Sequence, residues 1–396
     1  MGAQHSVAAH YDGGFDVDAL EKWAADLRRR FPADEVSLGL IFISPQFFEH
    51  ANELLEILRV HARIPLLLGC SSGSLIVNER EIEKNAGLVL ALYHLPGAEL
   101  KAARLTQAQL EQAEHESFWP TETGVQQANG WLVFADPFHL NPEQWLQQWN
   151  AAWPGRPILG GLASGDHRAQ RTQVYLNGDV HEEGGVALSV GGGVALHSVI
   201  SQGCMPIGET WTITRAEGNV IHEIGNQPAY EVLVETFENL SESEKEKTRD
   251  NLFVGLVVNE YLEEFQRGDF LVRNLIGVDP DNGAIAVGAL PRTGQTLQFQ
   301  RRDARAAGED MDELLHRASE SLEENMIFGG CLCCCNGRGE NLFGAADHDT
   351  GLVQHHFGDI GLSGFFCNGE IGPIGESNFL HGYTASLALF VKQEAK

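Results

Sequence analysis

The chain has 396 residues, 43% of them hydrophobic, which is enough for roughly two or three folded units with real cores, and no apolar run is long enough to cross a membrane as a helix. Its 27 Lys and Arg stand against 55 Asp and Glu, a net charge of −28, which repels phosphate backbones and anionic lipid and argues against nucleic-acid and membrane partners. The cysteine count is odd and Cys331, Cys333, Cys334 and Cys335 are clustered, as suits free thiols in a reducing compartment, so a cytoplasmic location is expected.

The first thirty or so residues read as peripheral. They lack the basic-then-apolar run of a secretory signal. Met1-Gly2-x-x-x-Ser6 has the spacing of an acylation signal, but no polybasic second signal follows it. Asp18 to Arg30 reads as a helix with acidic start and basic end.

A repeated grammar then begins. Leu38 to Ser44 is an apolar strand, Phe47 to His61 is helical, and Leu66 to Leu68 is a strand running into Gly69-Cys70-Ser71-Ser72-Gly73, with Gly87 to Tyr93 as a later strand. In the second pass, Trp131 to Ala135 is a strand and Asn141-Pro142 opens a helix. Pro157-Ile158-Leu159 then leads into Gly160-Gly161-Leu162-Ala163-Ser164-Gly165-Asp166, and Gly185 to Val190 follows. The third pass takes Gly330 to Cys335, then Ile360 to Gly364 with Phe365-Phe366-Cys367-Asn368-Gly369-Glu370, and ends in Tyr383 to Phe390. The distances Leu38 to Gly69, Leu132 to Gly161 and Cys331 to Gly364 agree within a few residues. Strands this apolar must lie centrally in a sheet covered by helices, and the glycine turns permit close backbone or ligand approach.

Between the second and third passes, Val194 to Ser201, Glu209 to Arg215 and Val220 to Ile224 read as strands, and Asn226-x-Pro228 opens a helix to about Phe237. Ser241 to Asp250 is the most charged segment and reads as an exposed helix end or linker. Leu252 to Val258 is a strand, a polar helix is expected next, and Arg267 to Leu275, Ala284 to Val287 and Thr296 to Arg301 are further strands before a helix over Met311 to Leu322. Gly191-Gly192-Gly193 lacks the Lys-Ser/Thr of a phosphate loop and reads as a hairpin turn.

Six short runs, in order, resemble the FIST family of paired N- and C-terminal modules, found in bacterial signal-transduction proteins and in some F-box proteins. They are Gly69-Cys70-Ser71-Ser72-Gly73; Leu159-Gly160-Gly161 with Ser164-Gly165-Asp166; Ser201-Gln202-Gly203-Cys204-x-Pro206-x-Gly208; Asp269-Phe270-Leu271-Val272-Arg273-Asn274; Cys335-Asn336-Gly337-Arg338-Gly339; and Gly364-Phe365-Phe366-Cys367-Asn368-Gly369-Glu370-Ile371-Gly372-Pro373. The resemblance spans residues 36 to 392. It implies a bacterial-type sensory module that binds small ligands, amino acids among them, with a signalling protein as partner. Relatives are often fused to kinases or methyl-accepting modules, and no such module is expected in this chain.

These readings combine into an α/β (α+β) fold of repeated strand-helix-strand-strand units in mixed or antiparallel sheets. Two modules are expected, at 36–225 and 226–392. The candidate ligand-binding residues are Cys70, Ser71, Ser72, Ser164, Asp166, Asp269, Arg273, Arg338, Asn368 and Glu370. Hydroxyls at the turns bind ligand or cap the turn, an Arg clamps a carboxylate or pairs with a structural acid, and Glu370 accepts an amine or pairs with an Arg. No metal, cofactor or catalytic set is expected. Cys331, Cys333 and Cys335 alternate with Cys334 along an apolar strand, which favours core thiols over a metal or redox site. Two other classes compete with the sensor. One is a hydrolase using Ser71 or Cys70, since Gly69-Cys70-Ser71-Ser72-Gly73 fits the nucleophile-elbow pattern although a strand rather than a helix follows it. The other is a protein-interaction adaptor, marked by an exposed apolar patch. The histidines, His348, His355 and His356 included, read as surface residues.

Overall fold

Strands apolar on both faces need cover on both, and the architecture follows from that need. The computed structural model describes residues 5–84, 87–166, 169–249 and 251–393, so the acylation-like Met1-Gly2 start and Asp250 lie outside the described residues. The chain divides into two compact units. The first is residues 1–200, 311–380 and 384–396; the second is 201–310 with 381–383. The compact units therefore cross the division expected near residue 226, because the third repeat pairs its strands with those of the first two.

The first unit contains the repeat three times. In each, two parallel strands lie side by side and a third runs antiparallel to the first. Leu38–Ile43 pairs in parallel with Leu67–Ser71 and antiparallel with Leu88–Tyr93. Gly130–Ala135 pairs likewise with Ile158–Leu162 and Gly185–Gly192, and Ile327–Cys335 with Leu362–Cys367 and Thr384–Lys392. Each trio is extended at one edge by an antiparallel strand: Ser6–Tyr11, Ala98–Leu105 or Val194–Gln202. At the other edge stands a hairpin borrowed from a neighbouring repeat. The first sheet takes Val174–Leu176 with Asp179–His181, the second Glu370–Ile374 with Ser377–His381, and the third Leu75–Val77 with Arg80–Ile82. The exchange is cyclic: each repeat donates a hairpin and receives one.

One glycine per repeat makes the parallel pairing possible. A Cβ on Gly69 would stand 1.7 Å from the Ile41 carbonyl oxygen, on Gly160 1.9 Å from that of Val133, and on Gly364 1.8 Å from that of Leu332. The second repeat thus uses Gly160 in this role, not Gly161.

Strict alternation sends successive strand residues to opposite faces. Phe42, Phe134 and Phe365, one from each repeat, meet in the central core with ring centroids 4.9 to 5.8 Å apart. Cys70, Cys331, Cys333 and Cys367 share that core, whereas Cys334 faces outward. The outer faces are covered by helices. Val17–Arg30, capped by Asp16, and Ala51–His61 cover the first sheet, and Pro142–Ala152 brings Trp145 and Trp149 onto the second. Met311 and Leu315 of Ala304–Ser321 and Val353 of His348–Phe357 cover the third.

The second unit is antiparallel. Cys204–Glu217 is long and irregular: its first part pairs with Thr296–Arg302 and its last with Val220–Ile224. Through Leu252–Val257, Phe270–Asp279 and Ala284–Val287 the ladder closes on itself, so these six strands form a barrel, with Val232 and Leu233 of the helix Ala229–Glu238 in its core.

Several local expectations are corrected. Ser6–Tyr11 is an edge strand of the first sheet rather than a peripheral segment. Gly191 and Gly192 end the strand Gly185–Gly192, and Gly193 links it to a strand of a different sheet instead of turning a hairpin; Gly193 N–H donates to the Gly97 carbonyl at 2.7 Å. Residues 259–266 form turns, not a helix. There the Glu260 carboxylate accepts the Thr296 N–H and Oγ1–H, each at 2.7 Å, and Asp269 accepts the Gln266 N–H at 2.8 Å. Glu242–Thr248 is a true helix, with Ser241 and Glu244 forming a capping box.

Candidate functional site

The carboxyl ends of the three second strands converge. Each must turn sharply from its own sheet into the neighbour's, and only small side chains fit where three backbones meet. The result is a knot of cross-repeat hydrogen bonds. Ser71 N–H donates to the Gln173 carbonyl at 2.8 Å. Ser71 Oγ accepts the Gln173 N–H at 2.9 Å and donates to the Ser164 carbonyl at 2.8 Å. The Ser72 and Ser164 hydroxyls lie 3.0 Å apart, and the Phe366 carbonyl oxygen is 2.8 Å from the first and 2.6 Å from the second. Gly73 N–H donates to Ser164 Oγ at 3.2 Å. Asn368 Nδ2 donates to the Ala163 carbonyl at 2.9 Å, and its Oδ1 accepts from Asn336 Nδ2 at 2.8 Å. All three repeats are therefore joined here. Ser71, Ser72 and Ser164 are buried, while Gly73, Asp166 and Asn368 form an exposed rim. Asp166 accepts the Ala169 N–H at 3.1 Å.

Among the described residues, neither proposed nucleophile has a hydrogen bond to a basic side chain. The Ser71 proton goes to a carbonyl oxygen. Cys70 is wholly buried in the central core, and burial pushes its thiol well above the ordinary range. After the strand Gly130–Ala135, His139 pairs with buried Asp136 at 2.9 Å, and the other Asp136 oxygen accepts from Thr172 Oγ1 at 2.8 Å.

Behind the knot lies a second buried polar group. Glu370 accepts from Cys367 Sγ at 3.2 Å and from Thr384 N–H at 3.0 Å. Burial pushes its carboxyl up to about 8, against the pull of these donors and of the Arg338 charge. Arg338 is fully buried and grips Asp349 through Nε at 2.6 Å and Nη2 at 2.9 Å. It is thus placed in a structural ion pair, and its remaining Nη1 has no hydrogen-bond partner. The Phe343 ring covers the guanidinium at 5.3 Å and stacks on His348, whose Nδ1 lies 3.1 Å from Asp349 Oδ1, so His348 belongs to this network and not to a bare surface. Glu81, on the hairpin donated by the first repeat, accepts the N–H groups of Asp349 and Thr350 at the start of the helix His348–Phe357, at 2.9 and 3.1 Å. Burial and the nearby Asp349 charge push its carboxyl up to about 7.

Asp269 and Arg273 lie elsewhere. Both belong to the barrel unit, where Arg273 pairs with Val254 on the ladder and its Nη1 donates to the Val272 carbonyl at 3.1 Å. The structure brings together Ser71, Ser72, Ser164 and Asn368, and sets Glu370 and Arg338 behind them in the same unit. Sequence reasoning missed Asp136, Thr172, Gln173, Glu81 and Asp349. Only Asp136 carried a local signal, as the first polar residue after the apolar strand Gly130–Ala135.

Together these features define an α/β protein with three interleaved repeats, whose strand ends meet in one polar junction, and an inserted antiparallel barrel. The chain matches the FIST N domain over residues 37–227 and the FIST C domain over residues 229–373, and it belongs to the FIST family. FIST domains are sensory domains for small ligands in signal transduction. The uncharacterized protein Rv0628c of Mycobacterium tuberculosis is 34% identical over 382 residues, covering 94% of this chain and 96% of the relative. The uncharacterized protein Mb0898c of Mycobacterium bovis is 33% identical over 370 residues, covering 93% and 94%. The uncharacterized protein MJ1623 of Methanocaldococcus jannaschii is 27% identical over 147 residues, 37% of this chain and 27% of that protein. Among the described residues, no helix is long and apolar enough to cross a membrane.

Proposed function

We propose that this chain senses an amino acid or similar metabolite at the rim of the three-strand junction. Asp166 and Asn368 contact the ligand, and Ser71, Ser72 and Ser164 hold the backbone beneath it. One observation carries the reading: in α/β sheets, ligands settle outside the carboxyl ends of strands where the chain changes direction, and here three such ends meet. Exposed Gly73 adds backbone that a ligand can approach, since a Cβ there would meet nothing within 4 Å. Glu370 and the Arg338–Asp349 pair act at one remove, by fixing the third repeat.

The test is a thermal-shift screen of the full chain against amino acids and common metabolites. A ligand bound only by the folded state raises the midpoint by mass action. We expect a hit that Asp166→Ala or Asn368→Ala weakens about tenfold or more, with Asp166→Ala leaving the ligand-free midpoint unchanged. A hit indifferent to both substitutions would place the ligand elsewhere.

The barrel supports a second reading, that of an adaptor. Tyr261 is 96% exposed, Leu290 75% and Ile276 62%, and Glu260, Glu263 and Glu264 surround Tyr261 in sequence. Such a surface suits a partner protein with basic and apolar residues. Pull-down with wild type but not with a Tyr261→Ser, Leu290→Ser variant would support it; equal capture by both would remove it.

A further inference from the structure

The strands Ile327–Cys335 and Leu362–Cys367 run parallel and finish on the same rung, with Cys335 opposite Cys367. Neighbouring strands lie about 4.8 Å apart. That is inside the range of about 4.4 to 6.8 Å that a disulfide spans between Cα atoms. Opposed residues on a ladder project to the same face. Here that face is the central core: Cys331, Cys333 and Cys367 all lie in it, and alternation sends Cys335 the same way. Each cysteine is also the last residue of its strand, so the backbone can adjust without breaking a further rung.

The two thiols differ in access. Cys367 is fully buried, with its Sγ 3.2 Å from both the Cys334 carbonyl oxygen and the Glu370 carboxyl. Cys335 is half-buried and accepts the Gly337 N–H at 3.5 Å. The other five cysteines are buried. An oxidant therefore meets Cys335 first, with a second thiol beside it on the neighbouring strand.

We propose that Cys335 and Cys367 are a peroxide-reactive pair that closes a reversible disulfide across the ends of these two strands. In the first step the Cys335 sulfur attacks hydrogen peroxide. An S–O bond forms, the O–O bond breaks, and the departing hydroxide leaves as water with the thiol proton. In the second step the Cys367 sulfur attacks the Cys335 sulfenic acid. An S–S bond forms, the S–O bond breaks, and the hydroxide leaves as water with the Cys367 proton. Two thiols lose two electrons together, and one peroxide becomes two waters. The disulfide staples the residues just before Asn336 and Asn368, which bridge the strand ends, and it removes the S–H donor from Glu370. The inference stands on strand register and exposure, and holds whether or not a metabolite binds at the junction.

The test treats the reduced full chain with hydrogen peroxide, traps remaining thiols with N-ethylmaleimide, and maps non-reduced peptides by mass spectrometry. The expected product joins the Cys335 and Cys367 peptides, lighter by two hydrogens than their sum, and dithiothreitol separates them. In Cys367→Ala, Cys335 has no resolving thiol and accumulates as sulfinic acid. In Cys335→Ser, a substitution at a half-buried strand end, Cys367 stays a thiol at the same peroxide dose, so the proposal remains testable if Cys367→Ala fails to fold. Wild-type Cys335 running to sulfinic acid with no cross-link would overturn the proposal, as would a major cross-link through another cysteine, or Cys367 oxidising equally in Cys335→Ser.

Discussion

Arg338 and Asp349 form a two-point hydrogen-bonded pair at 2.6 and 2.9 Å with both side chains out of water. Removing one partner of a buried pair leaves the other charge uncompensated, at a cost of about 3–5 kcal/mol. We expect Arg338→Ala to lower unfolding free energy by that amount in urea titrations, with little change in m-value. Replacing both residues with apolar ones, as in Arg338→Met with Asp349→Leu, removes both charges and is expected to recover part of the loss. A single-variant loss under about 1 kcal/mol would mean that water reaches the pair.

The three ladder glycines make a sharper test. At Gly69, Gly160 and Gly364 a Cβ would lie within 2 Å of a carbonyl oxygen on the neighbouring strand, and the obstacle is backbone. Each Gly→Ala change must push two central strands apart, so a loss above about 4 kcal/mol, or failure to fold, is expected for each. Gly351 is the control. It lies within a helix with nothing within 4 Å of a built Cβ, so Gly351→Ala should gain up to about 1 kcal/mol. Circular dichroism melts of the four variants decide it. Unchanged stability in any of the three ladder variants would show that its strand pairing is wrong.

The repeat is legible in the sequence because strands buried on both faces must be apolar throughout, and Leu38–Ile43 and Gly130–Ala135 announce themselves that way. The exchange of hairpins is not. Leu75–Val77 pairs with Ser363–Phe365, and nothing local to either segment names the other. Register fails for the same reason: with Gly160 and Gly161 adjacent, only the partner strand decides which meets the Val133 carbonyl. Ser6–Tyr11 escapes notice because an edge strand with one covered face needs less apolar character. The serines of the junction are visible as polar residues in glycine turns. Glu81 is not, since it is explained only by Asp349 and Thr350 of another repeat, and Asp349 is not, since its partner Arg338 is eleven residues away across a loop that no periodicity spans.

Five of the seven tryptophans, Trp119, Trp131, Trp145, Trp149 and Trp153, lie together behind the second sheet, and Trp149 touches the other four at centroid distances of 4.5 to 5.7 Å. Intrinsic fluorescence therefore reports mainly on the second repeat. Trp149→Ala should cost about 3–5 kcal/mol, while Trp149→Phe keeps most of the packing and should cost less. If fluorescence and far-ultraviolet circular dichroism give coincident urea transitions, the repeats unfold as one cooperative body, as the exchanged hairpins require. A fluorescence transition at distinctly lower urea would mean that the second repeat opens alone.

The buried carboxyls fix the pH response. Burial raises Glu81 to about 7 and Glu370 to about 8 from an ordinary value of 4.5. A folded-state value above the unfolded one means that the native protein holds protons the unfolded chain has released. The resulting stability is complete below about pH 4.5 and is lost as pH rises through about 7 for Glu81 and about 8 for Glu370. Asp349 runs the other way. Burial alone would raise it, but the Arg338 charge and hydrogen bonds hold it below 3.8, so its contribution is lost only on acidification below that value, outside this window. Unfolding free energy should therefore fall between about pH 5 and 8, by at most about 1.4 kcal/mol per pH unit for each proton. Glu370→Gln, which cannot ionise, should reduce the slope across the whole window and remove the part above about pH 7, whereas Glu81→Gln should reduce it only below about pH 7. Urea titrations at a series of pH values read both effects. Stability that climbs over this window in the wild type, or a slope that both variants leave unchanged, would show these carboxyls to be ionised and compensated in the native state.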